Sequence, residues 1–493
     1  MATKKKASKR STKSVGAKHL SAGTVSAWQD DPSSTLPTIS RPVPDLAQAP
    51  LRYKFNGPAI APGIYASDTP EFRYWTAAEA LRRGGDFWAP LLGVKKWQPG
   101  PVLPVSLDKG VDLNAYYNRT ELAFFHEAVG GKTIYSCESP DVVCHEMGHA
   151  CLDAHRPALF DAPFIEAGAF HESFGDMSAI LSALQLPSVR QAALSAVKSH
   201  KSSVLSRCAE QLGWAIRQVD APAVDPDCLR NAYNAFKYVD PQTLPDSAPA
   251  TDLCAEVHSF SRVFTGAFYE ILSGMLKIRS ANPTQADLAT VALAFAQLLM
   301  DATKAAPVQP DYFAQVASHI IDADTVRFAG KYRSALIATF VKRLIVPKSA
   351  VEALAAHEGK ISGMSAFGIA ASMARPAKPQ LHNVVLKGQE FGLADTPLNV
   401  AAPLEHKPFL MVAASLGGRH SGRDAVQRAT HRFVTMLFAH NRVDTESGVK
   451  KMAVTAATPR DQLRKTHVVT KAKDGLRLSR RLFHCGCGVT QRR

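Results

Sequence analysis

The chain runs to 493 residues with 46% apolar content, enough for a sizeable core and more than one ordinary domain. Its formal charge of +15 is gathered at the ends: residues 1–29 carry seven Lys/Arg and no acid, and residues 441–493 carry thirteen against four acids. The middle is left near −1, which rules out a basic centre there. Without aromatic interleaving, the ends suit a weak polyanion contact (nucleic acid or anionic membrane) or plain solubility.

Residues 1–50, rich in Lys, Ser and Thr and then in Pro, are expected to be a basic disordered tail. No apolar core follows the leading lysines, the longest apolar runs (such as 289–300) are short for a bilayer, and eight cysteines do not suggest a disulfide framework. The expected setting is a reducing cytoplasm, with no transmembrane segment.

Short apolar runs mixed with Gly and Pro predict a β-rich N-terminal lobe over 51–143. Helical spacing predicts a helical lobe over 144–346, with helices near 142–154 and 166–186 and long apolar runs over 256–275 and 284–346. Residues 347–493 read as a linker and a small α+β accessory domain with a basic end. Strands are expected near 409–415, 451–455 and 466–471, and a helix at 425–440. The fold class is α+β.

The helix predicted at 142–154 carries His145-Glu146-Met-Gly-His149, which is H-E-x-x-H. Four residues on a helix return to nearly the same face, so both imidazoles can reach one zinc ion, and Glu146 stands beside it as a general base for a bound water. Two candidates can supply the third ligand. His155 has the spacing of a third histidine, but Leu152 stands where that turn needs glycine. Glu172 lies in Gly168-Ala-Phe-His-Glu-Ser-Phe-Gly-Asp176, whose two carboxylates share a helical face. One can bind metal while the other orients a ligand histidine, and Glu172 is favoured.

These blocks resemble the thermolysin family of zinc endopeptidases. Asp141-Val-Val-Cys-His-Glu-Met-Gly-His-Ala150 resembles D-V-V-x-H-E-x-x-H-A. The Gly168–Asp176 segment resembles G-A-x-N-E-x-x-x-D, with His171 replacing Asn. Leu229-Arg230 through Lys237-Tyr-Val-Asp-Pro241 resembles L-R…K-Y-G-D-P, and Val257-His258-Ser259 resembles the segment of the catalytic histidine.

The resemblance covers about half the chain and implies a two-lobed zincin with His145, His149 and Glu172 on Zn²⁺ and Glu146 and His258 catalytic. It further implies Arg230 on the substrate carbonyl, Asp176 and Asp153 behind the ligands, and Asn114, from the edge strand around Leu113–Asn118, on the peptide substrate. A rival register for that strand is 123–127.

Several family features are missing. Phe160 stands where the family has an oxyanion-stabilising Tyr, and the acid five residues before His258 reads Leu253, with Asp252 adjacent. No acid lies between Asp176 and Glu210 to build the family's double calcium site there. The alternative to an endopeptidase is a zincin-fold binding or scaffold protein with weak or no proteolysis, tethered to polyanions by basic tails. His484-Cys485-Gly-Cys487 is a weak metal motif, more readily read as thiols on a tail.

Overall fold

A computed structural model describes residues 23–349, 380–403, 423–449, 455 and 458–485. The chain is mixed α+β. A hairpin of β1 (Thr24–Trp28) and β2 (Thr38–Pro42) precedes β3 (Arg52–Phe55) and the long helix α1 (Pro70–Leu92). Within the stretch expected to be a disordered tail, Val25 and Ala27 are therefore buried. The Trp28 amide donates to Thr76 on α1, and Arg41 pairs with Glu79. The Lys/Ser composition of residues 1–22 had masked a short apolar alternation just after it.

Helix α1 also corrects the β-rich expectation for 51–143. It begins on a side-chain cap from Thr69 with proline at its first position, and ends at Gly93 in the left-handed region. Strands β4 (Val102–Ser106), β5 (Ala115–Tyr117) and β6 (Leu122–Phe124) and the hairpin β7 (His126–Val129)–β8 (Lys132–Tyr135) complete this part. Its main sheet has the order β16-β5-β6-β4-β3, and β16 is Phe483–His484, from the far end of the sequence.

The middle of the chain is helical: α2 (Pro140–His155), the single turn α3 (Ala158–Asp161), α4 (Ile165–Ala183), α5 (Pro187–Ser199) and α6 (Glu210–Val219). The short pair β9 (Arg207–Cys208) and β10 (Arg230–Asn231) interrupts it before α7 (Val257–Arg279), α8 (Gln285–Ala305), α9 (Tyr312–Phe328) and α10 (Arg333–Lys342). Every residue of α4 is buried, so it carries no polar stripe and runs through the centre of the core against α2 and α7.

Among the described residues α8 alone is long and apolar enough to cross a bilayer, longer than the apolar run suggested. Its Leu288, Val291, Phe295, Leu298 and Leu299 are fully buried in the common core.

The last part is a second sheet, order β11-β12-β15-β14-β13: β11 (Leu381–Lys387), β12 (Pro397–Pro403), β13 (Val443–Asp444), β14 (His467–Ala472) and β15 (Gly475–Arg480). Helix α11 (Arg423–Ala439) packs on it. The helix expected at 425–440 and the strand expected at 466–471 are α11 and β14. The strand expected at 409–415 and most of that at 451–455 lie outside the described residues.

The basic end, expected to suit a weak polyanion contact or plain solubility, is, where described, built into the fold. Arg481 pairs with Asp444 at 2.7 Å, Arg442 donates to His484, and Lys465 donates to Asn441.

Candidate metal centre

Helices α2 and α4 cross at their glycines. A Cβ on Gly148 would lie 3.0 Å from the Gly175 Cα and 2.8 Å from the Ser178 Cβ, and one on Gly175 would lie 2.6 Å from ring atoms of His145. Only bare backbone lets the two helices approach closely enough for side chains on both to converge. Gly175→Ala is therefore expected to cost roughly 1–3 kcal/mol by overpacking, read as a lower midpoint in urea, and to push the His145 ring from its place.

His145, His149 and Glu172 converge at this crossing, with candidate ligand atoms mutually within 4.8 Å. The Glu172 carboxylate is 3.3 Å from His145 Nε2 and 3.7 Å from His149 Nε2. All three residues are buried. Both Nε2 atoms, Glu172 Oε2 and both carboxylate oxygens of Glu146 have no hydrogen-bond partner among the described residues. Buried polar atoms are nearly always satisfied, so five orphans in one place fit a site for a cation and its water.

Tautomers are set from behind. His145 Nδ1 lies 3.0 Å from Asp176 Oδ1, which fixes the proton there and leaves Nε2 bare for a metal. Asp176 is gripped in turn by Arg230, from Nη2 at 2.7 Å and Nε at 3.1 Å. Arg230, assigned from the sequence to a substrate carbonyl, thus engages Asp176 with two of its nitrogens.

His149 Nδ1 faces His171 Nδ1 at 3.0 Å, so one ring donates and the other accepts. His171 is the residue sequence reasoning passed over: its replacement of Asn was noted, but a second imidazole can orient a ligand imidazole as an amide does. Asp153, expected behind the ligands, instead accepts from the Tyr117 hydroxyl at 2.9 Å and pairs with Arg119 at 2.6 Å. It lies one turn past His149, and its partners lie on and just after β5 rather than at the metal ligands.

The electrostatics follow. Burial pushes the Glu146 carboxyl up to about 8, with Glu172 adding to the shift. Burial also opposes charge on Glu172, but His258, His149 and His145 outweigh it and hold that carboxyl down to about 2. Burial disfavours a charged His145, yet Asp176 and Glu172 outweigh it and raise the ring to about 9. Burial lowers His149 to about 3.

His258 opens α7 at the same place, with Nε2 3.3 Å from Glu172 Oε2. Glu256 orients it: one carboxylate oxygen lies 2.7 Å from His258 Nδ1, and the other caps the helix by accepting from the His258 and Ser259 amides. The acid serving His258 is therefore Glu256, two residues upstream, not Asp252 or Leu253.

Three other sequence candidates find their places. His155 is held by the Leu92 and Met300 carbonyls, away from the cluster. Phe160 lies under the Arg119 guanidinium, 3.9 Å from its ring centre, and edge-on to Phe483. Asn114 is buried just before β5, accepts from the Ala115 amide, and lines a cavity of about 520 Å³ with Asp112, Arg442, Arg464 and His484. The rival segment falls partly in β6, between β5 and β4, and partly in β7, while β5 lies between β6 and β16.

The sequence also gave no sign of Arg480. Its guanidinium lies 4.2 Å above the Phe483 ring, and its Nε and Nη2 are buried without hydrogen-bond partners among the described residues. Burial pushes it down to about 10, against the pull of Asp161 and Glu172.

A second acidic cluster lies at the start of α2: Asp31, Asp141 and Glu210. Counting acids only after Asp176 missed it, because Asp31 arrives from the loop behind β1. Burial, with Glu210 and Asp31 nearby, raises the adjacent Asp30 to about 8 from 3.8. The folded chain then keeps a proton that the unfolded chain releases, so stability falls as pH climbs from about 4 to about 8. Asp30→Asn is expected to flatten that decline, by on the order of a few kcal/mol, in melting curves taken across this range.

No protein-family model matches the chain, and no curated protein matches it.

Proposed function

We propose that the protein is a zinc-dependent endopeptidase of the two-lobed, thermolysin-like zincin type, holding Zn²⁺ with His145, His149 and Glu172. The observation that carries the reading is the buried set of five orphaned atoms at the α2–α4 crossing, with a histidine–carboxylate–arginine chain behind it. Two imidazoles that each present Nε2 and one carboxylate, with a fourth position left to water, are a donor set suited to catalytic zinc.

When bound, zinc supplies Lewis acidity and brings the pKa of its water down to about 7. Glu146 accepts the proton of the attacking water and delivers it to the leaving nitrogen, a task its buried place beside His145 allows. His258 Nε2 donates to the carbonyl oxygen as negative charge develops, held in line by Glu256. Phe160 cannot donate, so His258 carries this stabilisation without the Tyr of the family. Asp176 and Arg230 hold His145 still. An extended peptide would add to the outer edge of β5, beside Asn114. The seven described cysteines are thiols, which supports a reducing, cytoplasmic setting.

One observation favours the alternative of a binding protein with little proteolysis: the outer edge of β5 is already covered by β16. Metal analysis of purified protein together with a peptide-library digest decides between them. The endopeptidase reading expects one zinc per chain and cleavage lost on chelation. Zinc without cleavage, even after release of β16, would leave the binding reading, and a chain that takes up no zinc would sink both.

A further inference from the structure

Between the end of α2 with α3 on one side and β12 with β15 on the other, the fold leaves a cavity of about 680 Å³. Its walls combine apolar side chains with an excess of cations. Buried Val400, Leu478 and Phe433 line it, together with Arg119, Arg156, Arg477 and Arg480. Asp161 is the one carboxylate among the described lining residues.

These arginines are not alike. Arg119 grips Asp153 through Nε and Nη2 and Asp161 through Nη1, Arg156 donates to the Ala306 carbonyl, and Arg477 is exposed. Arg480 is buried, and its Nε and Nη2 meet no acceptor among the described residues. Those two nitrogens form one edge of the guanidinium, a pair of parallel donors matched to the two oxygens of a carboxylate. Arg119 presents that edge to Asp153 and Arg230 presents it to Asp176, each with both bonds made.

The neighbouring acids are engaged elsewhere. Those whose charge reaches Arg480 are Asp161, paired with Arg119, and Glu172, which faces His145, His149 and His258. The rings of Phe483 and Phe433 attract the cation, at 4.2 and 5.7 Å, but offer its edge no oxygen. Even pushed down to about 10, the guanidinium keeps its charge at neutral pH, and a buried charge is costly unless it is paired.

We propose that this cavity binds a small organic acid, a carboxylate on an apolar body. Its two oxygens sit on Arg480 Nε and Nη2, and its body lies against Phe433, Val400 and Leu478. Both nitrogens are shut off from solvent, so seating the acid takes a turn of the guanidinium about its last side-chain bond, toward the cavity. The volume is in the range of small-molecule pockets and well beyond the needs of a bare inorganic anion, which favours an acid with a body. The inference stands apart from the zinc reading, because no proposed metal ligand lines the cavity.

The test is calorimetric titration of the full chain with octanoate and with phenylacetate, an aliphatic and an aromatic body. A chelator is present throughout, so that no metal can hold the carboxylate. One acid per chain is expected to bind, and octanol, which has the body without the charge, should bind at least about tenfold more weakly than octanoate. Arg480→Met should weaken octanoate by at least about tenfold and leave octanol unchanged, and Arg480→Lys, which keeps the charge and loses the planar edge, should fall between. Should Arg480→Met fail to fold, Arg480→Lys and the wild-type comparison of octanoate with octanol read the same contact. Four results would each overturn the proposal: neither acid binding the wild type, octanoate binding Arg480→Met or Arg480→Lys as it binds the wild type, octanol matching octanoate, or sulfate binding as tightly as octanoate.

Discussion

Replacing Glu146 by Gln is expected to lower kcat for peptide hydrolysis by roughly 10²–10⁴-fold, the range general acid–base catalysis supplies, with zinc content unchanged. The carboxylate is buried beside the metal ligands, and neither oxygen has a hydrogen-bond partner among the described residues, so an amide of the same shape removes the base and little else. Cleavage at the wild-type rate by a zinc-loaded Gln variant would remove Glu146 from the mechanism.

Glu172→Gln should act one step earlier, on the metal. The native carboxylate faces three histidines, and its charge is held by them against the cost of burial. An amide is neutral and a poor zinc ligand, so affinity should drop by more than the roughly 10–100-fold associated with outer partners. Competition with a chromophoric chelator reads this directly. His171→Ala, by contrast, should stay within that range, and His171→Asn should recover most of it by restoring an acceptor to His149 Nδ1. A Glu172→Gln chain that keeps wild-type affinity would mean the metal sits elsewhere.

How much of this the sequence disclosed follows from how local each signal is. His145, Glu146 and His149 lie within one and a half turns of a single helix, so their spacing carries their geometry. Glu172 and Asp176 are legible for the same reason, and their own helix brings both to the His145 ring. Helix α4 as a whole was harder to read, because burial on all sides erases amphipathic period.

What stayed hidden was contributed from a distance. Glu256 orients His258 from a position that no fixed family spacing marks. Asp31 reaches Asp141 and Glu210 from a stretch whose composition resembles a tail, and Asp153 turns to Tyr117 and Arg119 instead of the metal ligands. Above all, Phe483, His484 and Cys485 are buried against β5, although their sequence reads as the basic end of an accessory domain. Residue type and spacing report a helix face well, and they report nothing about which remote strand will settle on a sheet's open edge.

That remote strand bears on how the molecule comes into being. β5 leaves the ribosome early and its partner β16 very late, with both helical and mixed regions made in between. On the proposed reading, His145, Glu146, His149 and Glu172 are therefore made well before the strand that covers β5. Any proteolytic hazard would be greatest during that interval, and it would close once Leu482–Cys485 emerged and found its groove.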